Sequence, residues 1–311
     1  MPEHAKRSWR TCSLNVDIDL HLHTKYSDGS ETPRELVARA HELGLKTIAV
    51  TDHDGIDGVQ QAVEAGAELG IRVIPGIEFS TKWTGSRGGQ ATESYDIHML
   101  GYGIDLQSDV LKQKMAQMLA RRDSRNERMR KAFHKTGINI SQRELEDESG
   151  SGFVGKRSFA NVLVQKGYAA SIDEAFASER FMAHPGIRSI HKEKTDAAEA
   201  IRIIREAGGK SFFAHPFQME YATFPDQPSR IEQELRFVVS QLAAFGLDGL
   251  ECYYPTHDQS MTDFLLNLAD ENGLLASIGS DDHGPGARKV KRIHGFGVDI
   301  DLERLRWVET L

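Results

Sequence analysis

Residues 17–30 read DIDLHLHTKYSDGS, two histidines two residues apart with an aspartate five residues further on. Side chains alternate faces along a β-strand, so His21 and His23 point the same way at the end of one strand and can hold a single metal ion. Asp28, Gly29 and Ser30 form the turn that follows. An isolated H-x-H pair carries little weight, and what decides the reading is whether other strand ends repeat the pattern.

The chain around this stretch has 311 residues, 39% of them hydrophobic and 27% charged, enough for a large core and more than one domain usually needs. One large α/β domain carrying an insertion fits that length. A formal net charge of −8 argues against a general coat for long nucleic acid or for a membrane, so any bound anion must meet a local positive field. The first fifteen residues lack an apolar core and no later run of about 18 apolar residues exists, so neither a signal peptide nor a membrane span is expected, and the expected compartment is the cytoplasm. Cys12 and Cys252 stand far apart without C-x-x-C spacing and read as two reduced thiols.

Apolar strand-like runs alternate with helix-like segments, which predicts βα units around a parallel sheet or barrel. Thr32, Pro33 and Glu35 form a capping box with proline at the first helical position, opening a helix that runs to about Gly44. KTIAV is a buried strand leading into Thr51-Asp52-His53-Asp54, with a helix from about Ile56 to Gly70 after it. RVIPGIEFS is a strand carrying Glu78, TGSRGGQATES (84–94) a flexible polar loop, and YDIHMLGYGI a strand containing His98. Between residues 106 and 194 the character changes to one long charged helix and several short ones, Ser141 and Glu144 forming a second capping box. This segment is read as a helical insertion between barrel parts 15–105 and 195–300, with terminal extensions 1–14 and 301–311.

The strand-end test is then positive. His21 and His23, His53, Glu78, His215, and Asp281 with His283 fall at or just past the C-terminal ends of apolar strands, and His98 lies within one. In βα barrels that end of the strands is where sites assemble. Imidazoles and carboxylates without thiolates suit Zn, Mn or Fe better than a structural zinc cage. His4, His41, His134, His184, His191 and His294 lack strand-end company and read as ordinary.

HLHTKYSDGS, VTDHDG, PGIEFS, DIHMLGYG, FFAHP, ECYYPTH and GSDDHG, in that order over roughly residues 16–298, resemble the PHP (polymerase and histidinol phosphatase) family, in particular its free-standing metal-dependent phosphoesterases. The resemblance implies an α/β fold, a distorted (β/α)7 barrel with a helical insertion capping its C-terminal face, and a centre of three divalent metal ions. It assigns His21, His23, Glu78 and Asp281 to the first ion, Asp28, His53 and His283 to the second, and Glu78, His98 and His215 to the third, Glu78 bridging. Three such ions against Asp28, Glu78 and Asp281 leave the site near +3, a phosphate site inside an acidic protein. A hydroxide bridging the first two ions would then attack phosphorus in line.

Cationic partners for the phosphate are sought in the insertion. Arg121, Arg122, Arg125, Arg128 and Arg130 read either as substrate-binding guanidiniums, Arg122, Arg125 and Arg128 foremost, or as a solvated helix face paired with Asp123 and Glu127. Lys156 and Arg157 stand at the head of a helix, where backbone amides favour anions. Relatives tend to read G-R-P-H there, and this chain has G-K-R-S, with Ser158 in place of the histidine. His257 resembles a position facing the phosphate and reads as a proton donor to the leaving oxygen, as a binding group, or as an exposed loop histidine. Asp54 and Asp282, beside ligands, are expected to orient imidazoles.

The function implied is hydrolysis of a phosphomonoester of a small phosphorylated metabolite, a nucleoside 3′,5′-bisphosphate first, with short oligonucleotide ends as a further substrate. The rivals are a cyclic phosphodiesterase that opens a five-membered sugar cyclic phosphate and then releases phosphate, and a non-catalytic metal- or nucleotide-binding module.

Overall fold

Residues 16–87, 90–150, 153–219, 228–285, 293 and 295–311 are described by the computed structural model. The N-terminal extension, with His4 and Cys12, and His294 lie outside the described residues. Strand β1 (Ile18–Leu22) is followed by α1 (Pro33–Glu42), whose capping box forms as expected: the Thr32 hydroxyl accepts from the Glu35 N–H while the Glu35 carboxylate accepts from the Thr32 N–H. Leu36, Val37 and Ala40, spaced three and four apart, are the buried stripe of that helix. Then come β2 (Thr47–Val50), α2 (Val59–Leu69), β3 (Arg72–Arg87) and β4 (Gln90–Tyr102).

Five helices follow without a strand: α3 (Asp109–Lys135), α4 (Gln142–Ser149), α5 (Lys156–Gln165), α6 (Ile172–Ala177) and α7 (Pro185–Arg188). The Ser141–Glu144 capping box opens α4. These helices bury an apolar cluster of their own, including Met129, Phe133, Phe159, Leu163 and Phe181. The chain then returns through β5 (Thr195–Asp196), α8 (Ala197–Glu206), β6 (Lys210–Ala214), α9 (Pro228–Ala244), β7 (Gly249–Tyr253), α10 (Gln259–Glu271) and β8 (Leu275–Ile278) to a 3-10 helix over Leu302–Thr310. No helix among the described residues is long and apolar enough to cross a membrane.

The strands form one eight-stranded mixed sheet in the order β1-β2-β3-β4-β6-β7-β8, with β5 paired to β3. A parallel bridge from Leu22 to Asp282 links the end of β1 to the chain just past β8, the two ends of that order. Neighbours are parallel except at β4, which runs against both β3 and β6. The parallel sheet expected from the sequence therefore fails at one strand. β3 and β4 are a long hairpin, and the stretch 84–94 expected to be a flexible loop is mostly its outer ladder, with Thr84 opposite Ser94 and Arg87 opposite Gln90; Gly88 and Gly89 lie outside the described residues. The ladder is paired through the backbone, which polar residues can do as well as apolar ones, so polar composition there gave a false loop signal.

The largest core joins the sheet to the helices around it, with Leu20, Phe79, Leu100, Tyr102, Phe212 and Leu250 sealed from solvent. Each such side chain is worth about 2 kcal/mol of transfer free energy. This core holds the strand ends rigid where the polar residues emerge.

Candidate metal centre

His21 is in the last turn of the β1 pleat and His23 just past it, and their rings sit 5.1 Å apart. Asp28 is carried by the turn that follows, which is tied down hard. Asp52 accepts from the Thr24 N–H (2.7 Å), the Thr24 hydroxyl (2.6 Å) and the Ser27 hydroxyl (2.5 Å). Gly29 packs against the backbone of the same turn so closely that a Cβ there would meet the His23 carbonyl oxygen at 2.5 Å. Only glycine fits that approach.

Past β2 the backbone keeps pairing with β3: the Asp54 N–H donates to the Glu78 carbonyl, and His53 forms a parallel bridge with Glu78. Glu78 is not at a strand end, as the sequence suggested, but seven residues into the sixteen-residue β3. His98 reaches the same point from antiparallel β4, where it stands opposite Ala214 of β6, and His215 follows directly. Asp281 and His283 lie just past β8. Among the described residues Asp54, His215 and Asp281 are the non-glycine residues with positive φ, at 52°, 31° and 53°. Backbone strain of that kind persists where surrounding structure over-determines it, and here all of it falls on one site.

The side chains converge on Glu78, which is fully buried. Its Oε2 lies 3.2 Å from His21 Nε2, 3.3 Å from His23 Nε2 and 2.9 Å from His53 Nδ1, and its Oε1 lies 2.8 Å from His98 Nδ1 and 3.1 Å from His215 Nε2. Asp281 Oδ1 is 3.1 Å from His23 Nε2, and Asp28 Oδ1 is 3.2 Å from His283 Nε2. Three groups place their ligand atoms within 4.8 Å of one another: His21, His23, Glu78 and Asp281; His23, Asp28, His53 and His283; and His53, Glu78 and His98. The first is the expected set, the second gains His23, and the third has His53 where His215 was expected.

His21 Nε2, His23 Nε2, His53 Nδ1, Glu78 Oε2 and Asp28 Oδ1 are buried and satisfied by no hydrogen bond, although charged neighbours lie about 3 Å away. Atoms that crowd at that distance without aligning as donor and acceptor are aimed at a common point. Their spacing is about that of neighbouring ligands on an ion with bonds of about 2.1 Å. The residues present therefore fit divalent metal.

Electrostatics agree. Burial would lower the His53 pKa, but the Glu78 and Asp28 carboxylates overcome it and raise it to about 10. Burial likewise opposes His21, which Glu251, Glu78 and Asp281 push well above its ordinary value. Burial would raise Glu78 and Asp28, yet the imidazoliums around them hold both far below the usual carboxylate range. His98 goes the other way, lowered by burial. Without metal, protons on imidazoles supply the positive charge that this carboxylate cluster demands.

Asp54 and Asp282 do not orient imidazoles. Asp54 accepts from the Ser80 N–H and pairs with Lys192, and Asp282 accepts from Arg39 and the Gly284 N–H. A carboxylate that does hold an imidazole is Glu251, unnoticed in the sequence: it accepts from His21 Nδ1 (2.9 Å) and from the His215 N–H (2.7 Å). An acidic residue inside the apolar run LDGLECYY was the available signal. Tyr254 donates to Asp281 Oδ2 at 2.7 Å.

Arg122 and Arg125 are buried beside the cluster. Arg122 donates to the Asp54 carbonyl (3.1 Å) and stacks on Phe153, and Arg125 Nε has no partner, its pKa pulled down to about 10 by burial and by Arg122 and Arg128. Lys192, also missed, stands among them, and Lys156 is close enough for Arg125 to lower its pKa. Arg128 is set apart, exposed and donating to the Ser124 and His191 carbonyls. Arg157, Lys25, Phe153 and Ser158 share with Asp28 a cavity of about 300 Å³. Ser158 accepts from the Gly155 N–H and caps α5. His257 is not an exposed loop histidine. It is 3% exposed, its Nδ1 donates to the Cys252 carbonyl, its Nε2 is unsatisfied, and burial lowers its pKa. With Nδ1 on that carbonyl, Nε2 is the atom left to meet a ligand.

A mixed α/β sheet that gathers imidazoles and carboxylates without thiolates, flanked by buried cations, defines a metal-dependent hydrolase of anionic esters. Residues 19–138 match the family described as PHP domain. The 5′-3′ exoribonuclease Rnm of Salmonella typhimurium is 30% identical over 272 residues, 87% of this chain and 86% of that protein. The 3′,5′-nucleoside bisphosphate phosphatase of Chromobacterium violaceum is 29% identical over 273 residues (87% and 88%), and the phosphoribosyl 1,2-cyclic phosphate 1,2-diphosphodiesterase of Eggerthella lenta 28% over 275 (87% and 95%). A solved structure described as a metal-dependent phosphoesterase from Bifidobacterium adolescentis superposes with a TM-score of 0.71 at 28% identity, covering 94% of this chain and 95% of that one. The chain belongs to the PHP family, and it is a metal-dependent phosphoesterase.

Proposed function

We propose that the chain removes the 3′-phosphate from nucleoside 3′,5′-bisphosphates. The observation that carries this reading is the second set of charges: Arg122, Arg125 and Lys192 gather around Asp54, next to His53, with Lys156 beside Arg125, and Arg125 has an unsatisfied donor. A buried guanidinium without a partner is costly, and a substrate phosphate away from the scissile one would satisfy it. Arg157, in the cavity beside Asp28, offers a further contact.

In this reading His21, His23, Glu78 and Asp281 hold one divalent ion, Asp28, His53 and His283 with His23 a second, and Glu78 and His98 with His53 or His215 a third, of Zn, Mn or Fe. Bound ions would supply a hydroxide nucleophile at neutral pH and neutralise charge developing on phosphorus. Glu251 keeps the His21 proton on Nδ1, Tyr254 fixes the Asp281 carboxylate, and His257 Nε2 accepts a hydrogen bond from a substrate hydroxyl. The mixed sheet closes into a barrel, as the Leu22–Asp282 bridge suggests, and the segment 106–194 lies over its open face.

Short 5′-phosphorylated oligonucleotides are the second reading, favoured by the exoribonuclease relative; the cyclic phosphodiesterase relative keeps the sugar cyclic phosphate in view. A phosphate-release panel comparing 3′,5′-bisphosphates, nucleoside monophosphates, short oligonucleotides, histidinol phosphate and sugar cyclic phosphates, each with Mn or Zn, tests the proposal. Preference for the bisphosphates supports it, and release from none of them would sink it.

A further inference from the structure

The acidic net charge of the whole chain hides an uneven distribution. Residues 106–194 carry 17 Lys and Arg against 11 Asp and Glu, a net +6, so the remaining residues, with 21 against 35, carry −14. The excess is concentrated in α3, which has nine cations and three carboxylates over Asp109–Lys135. Charge segregation of this degree points to a polyanionic partner for the basic part.

Part of this charge belongs to the site already described, through Arg122 and Arg125, but the C-terminal turns of α3 do not. There Arg130, Lys131, His134 and Lys135 line an open groove of about 520 Å³ with Asn139. Glu127 is the one carboxylate on its wall, and it is shared by Arg130 (2.7 Å) and Lys131 (3.1 Å). Lys135 has no ion pair among the described residues, and Lys131 and Lys135 are exposed. At 1.5 Å per residue, Lys135 lies about 15 Å further along the helix than Arg125, and on its exposed face where Arg125 is on the buried one, so a strand that reaches it must pass round α3, far beyond the span of a bisphosphate. Phe, Tyr and Trp are absent from its lining and the His134 ring is tied to Asn139 Oδ1, so the groove reads charge foremost.

We infer that this groove is a second binding site, taking the trailing phosphates of a single-stranded oligonucleotide whose 5′ end lies at the metal cluster. The inference rests on the phosphoesterase reading for the position of that end, and on the groove's own charge for the rest. It makes the enzyme length-sensitive and base-indifferent: affinity rises with each nucleotide until the groove is filled, then levels.

Fluorescence anisotropy of 5′-phosphorylated oligonucleotides of two to eight residues with hydrolysis-resistant phosphorothioate linkages, bound to the Mn-loaded full chain, measures this directly. Longer strands should bind at least tenfold tighter than dinucleotides at low salt. In Lys131→Ala/Lys135→Ala the gain with length should vanish, and the slope of log K against log salt should fall by about 1.4, the loss of two phosphate contacts on a single strand. Turnover of a bisphosphate, too short to reach the groove, should change less than twofold, which also reports that the fold is intact. Affinity independent of length, an unchanged salt slope in the variant, or equal binding to phosphatidylserine vesicles would overturn the inference while leaving bisphosphate turnover untouched. Failure to release phosphate from any substrate would instead strike the proposed function, and length-dependent binding lost in the variant would still uphold the groove.

Discussion

Replacing Glu251 by glutamine changes one charge and almost no volume at the point where two candidate ligands are held together. The carboxylate is fully buried and only accepts, so it keeps a proton on His21 Nδ1, and once an ion displaces the second proton the Nε2 lone pair is free beside Glu78 and Asp281. In glutamine, an oxygen kept on the His215 N–H turns the NH2 toward His21 Nδ1. As a donor, that NH2 demands the Nδ1 lone pair and drives the proton to Nε2, the atom 3.2 Å from Glu78. Flipping the amide restores His21 but sets NH2 against the His215 N–H, two donors face to face. Rotation away is blocked, because the backbone at Gly279 approaches so closely that a Cβ there would lie 2.4 Å from Glu251 Oε1. Either arrangement forfeits one charge-assisted hydrogen bond, about 1.5–3 kcal/mol, which is roughly a 10- to 100-fold loss of metal affinity, the usual effect of removing such a carboxylate. Metal per chain after dialysis against graded chelator, with phosphate release at limiting and saturating metal, reads it out. The expected result is weaker retention with activity partly recovered at high metal. A folded variant that keeps metal and activity within threefold of the parent would refute the assigned tautomer and the role of Glu251.

Arg125→Met should raise KM for a bisphosphate at least tenfold while making the substrate-free protein more stable. A base whose folded-state pKa is lowered, here to about 10, costs stability at every pH below that value, so the gain is present at pH 7 and fades as the parent's guanidinium deprotonates above pH 10; thermal melts with and without phosphate check both halves. Lys192→Met leaves the buried Asp54 carboxylate with the Ser80 N–H but without its ion pair, at about 3–5 kcal/mol near pH 7. Burial works against Asp54 but Lys192 holds its pKa below 3.8, so that contribution exists above the unfolded value and is lost as pH falls through the folded one; urea unfolding at pH 7 and pH 3 should show the gap between parent and variant closing. Gly29→Ala forces a methyl to within 2.5 Å of the His23 carbonyl oxygen and moves Asp28, so metal per chain should fall by about one while the melting temperature in chelator shifts by only a few degrees.

Much of the metal cluster was legible because it is local. His21, His23 and Asp28 share one turn, His53 and His283 sit in short strand-end stretches, and period-two alternation fixes where such side chains point. The starts of α1 and α4 were equally plain, since a capping box is written within four residues, whereas α2, expected from about Ile56, begins at Val59 without a side-chain cap. What stayed hidden depends on which strands become neighbours. Glu251 meets His21 across 230 positions of sequence, and Lys192, in the undistinguished run HKEK, meets Asp54 across 138. No local pattern announces either contact. The β3–β4 hairpin was misread for a related reason: its outer rungs are paired by backbone, and their polar side chains give no apolar signal to register.

The two charge populations are coupled at one short stretch, and this orders what the site can bind. His53 belongs to two of the three candidate metal groups, while Asp54, its neighbour in sequence, pairs with Lys192 and receives Arg122 at its carbonyl. Metal binding must expel the proton that Glu78 and Asp28 hold on His53, so affinity for the ions rises with pH, and each ion adds two positive charges beside a cluster of guanidiniums and ammoniums. An empty cluster, by contrast, faces those cations with the carboxylates of Glu78, Asp28 and Asp281. Substrate phosphate is therefore held strongly only after metal is loaded. Isothermal titration should find phosphate binding at least tenfold tighter with Mn or Zn present than in chelator, and metal uptake should release protons in proportion; equal phosphate affinity in both states would mean that the cations around Asp54, and not the imidazole cluster, set the anion site.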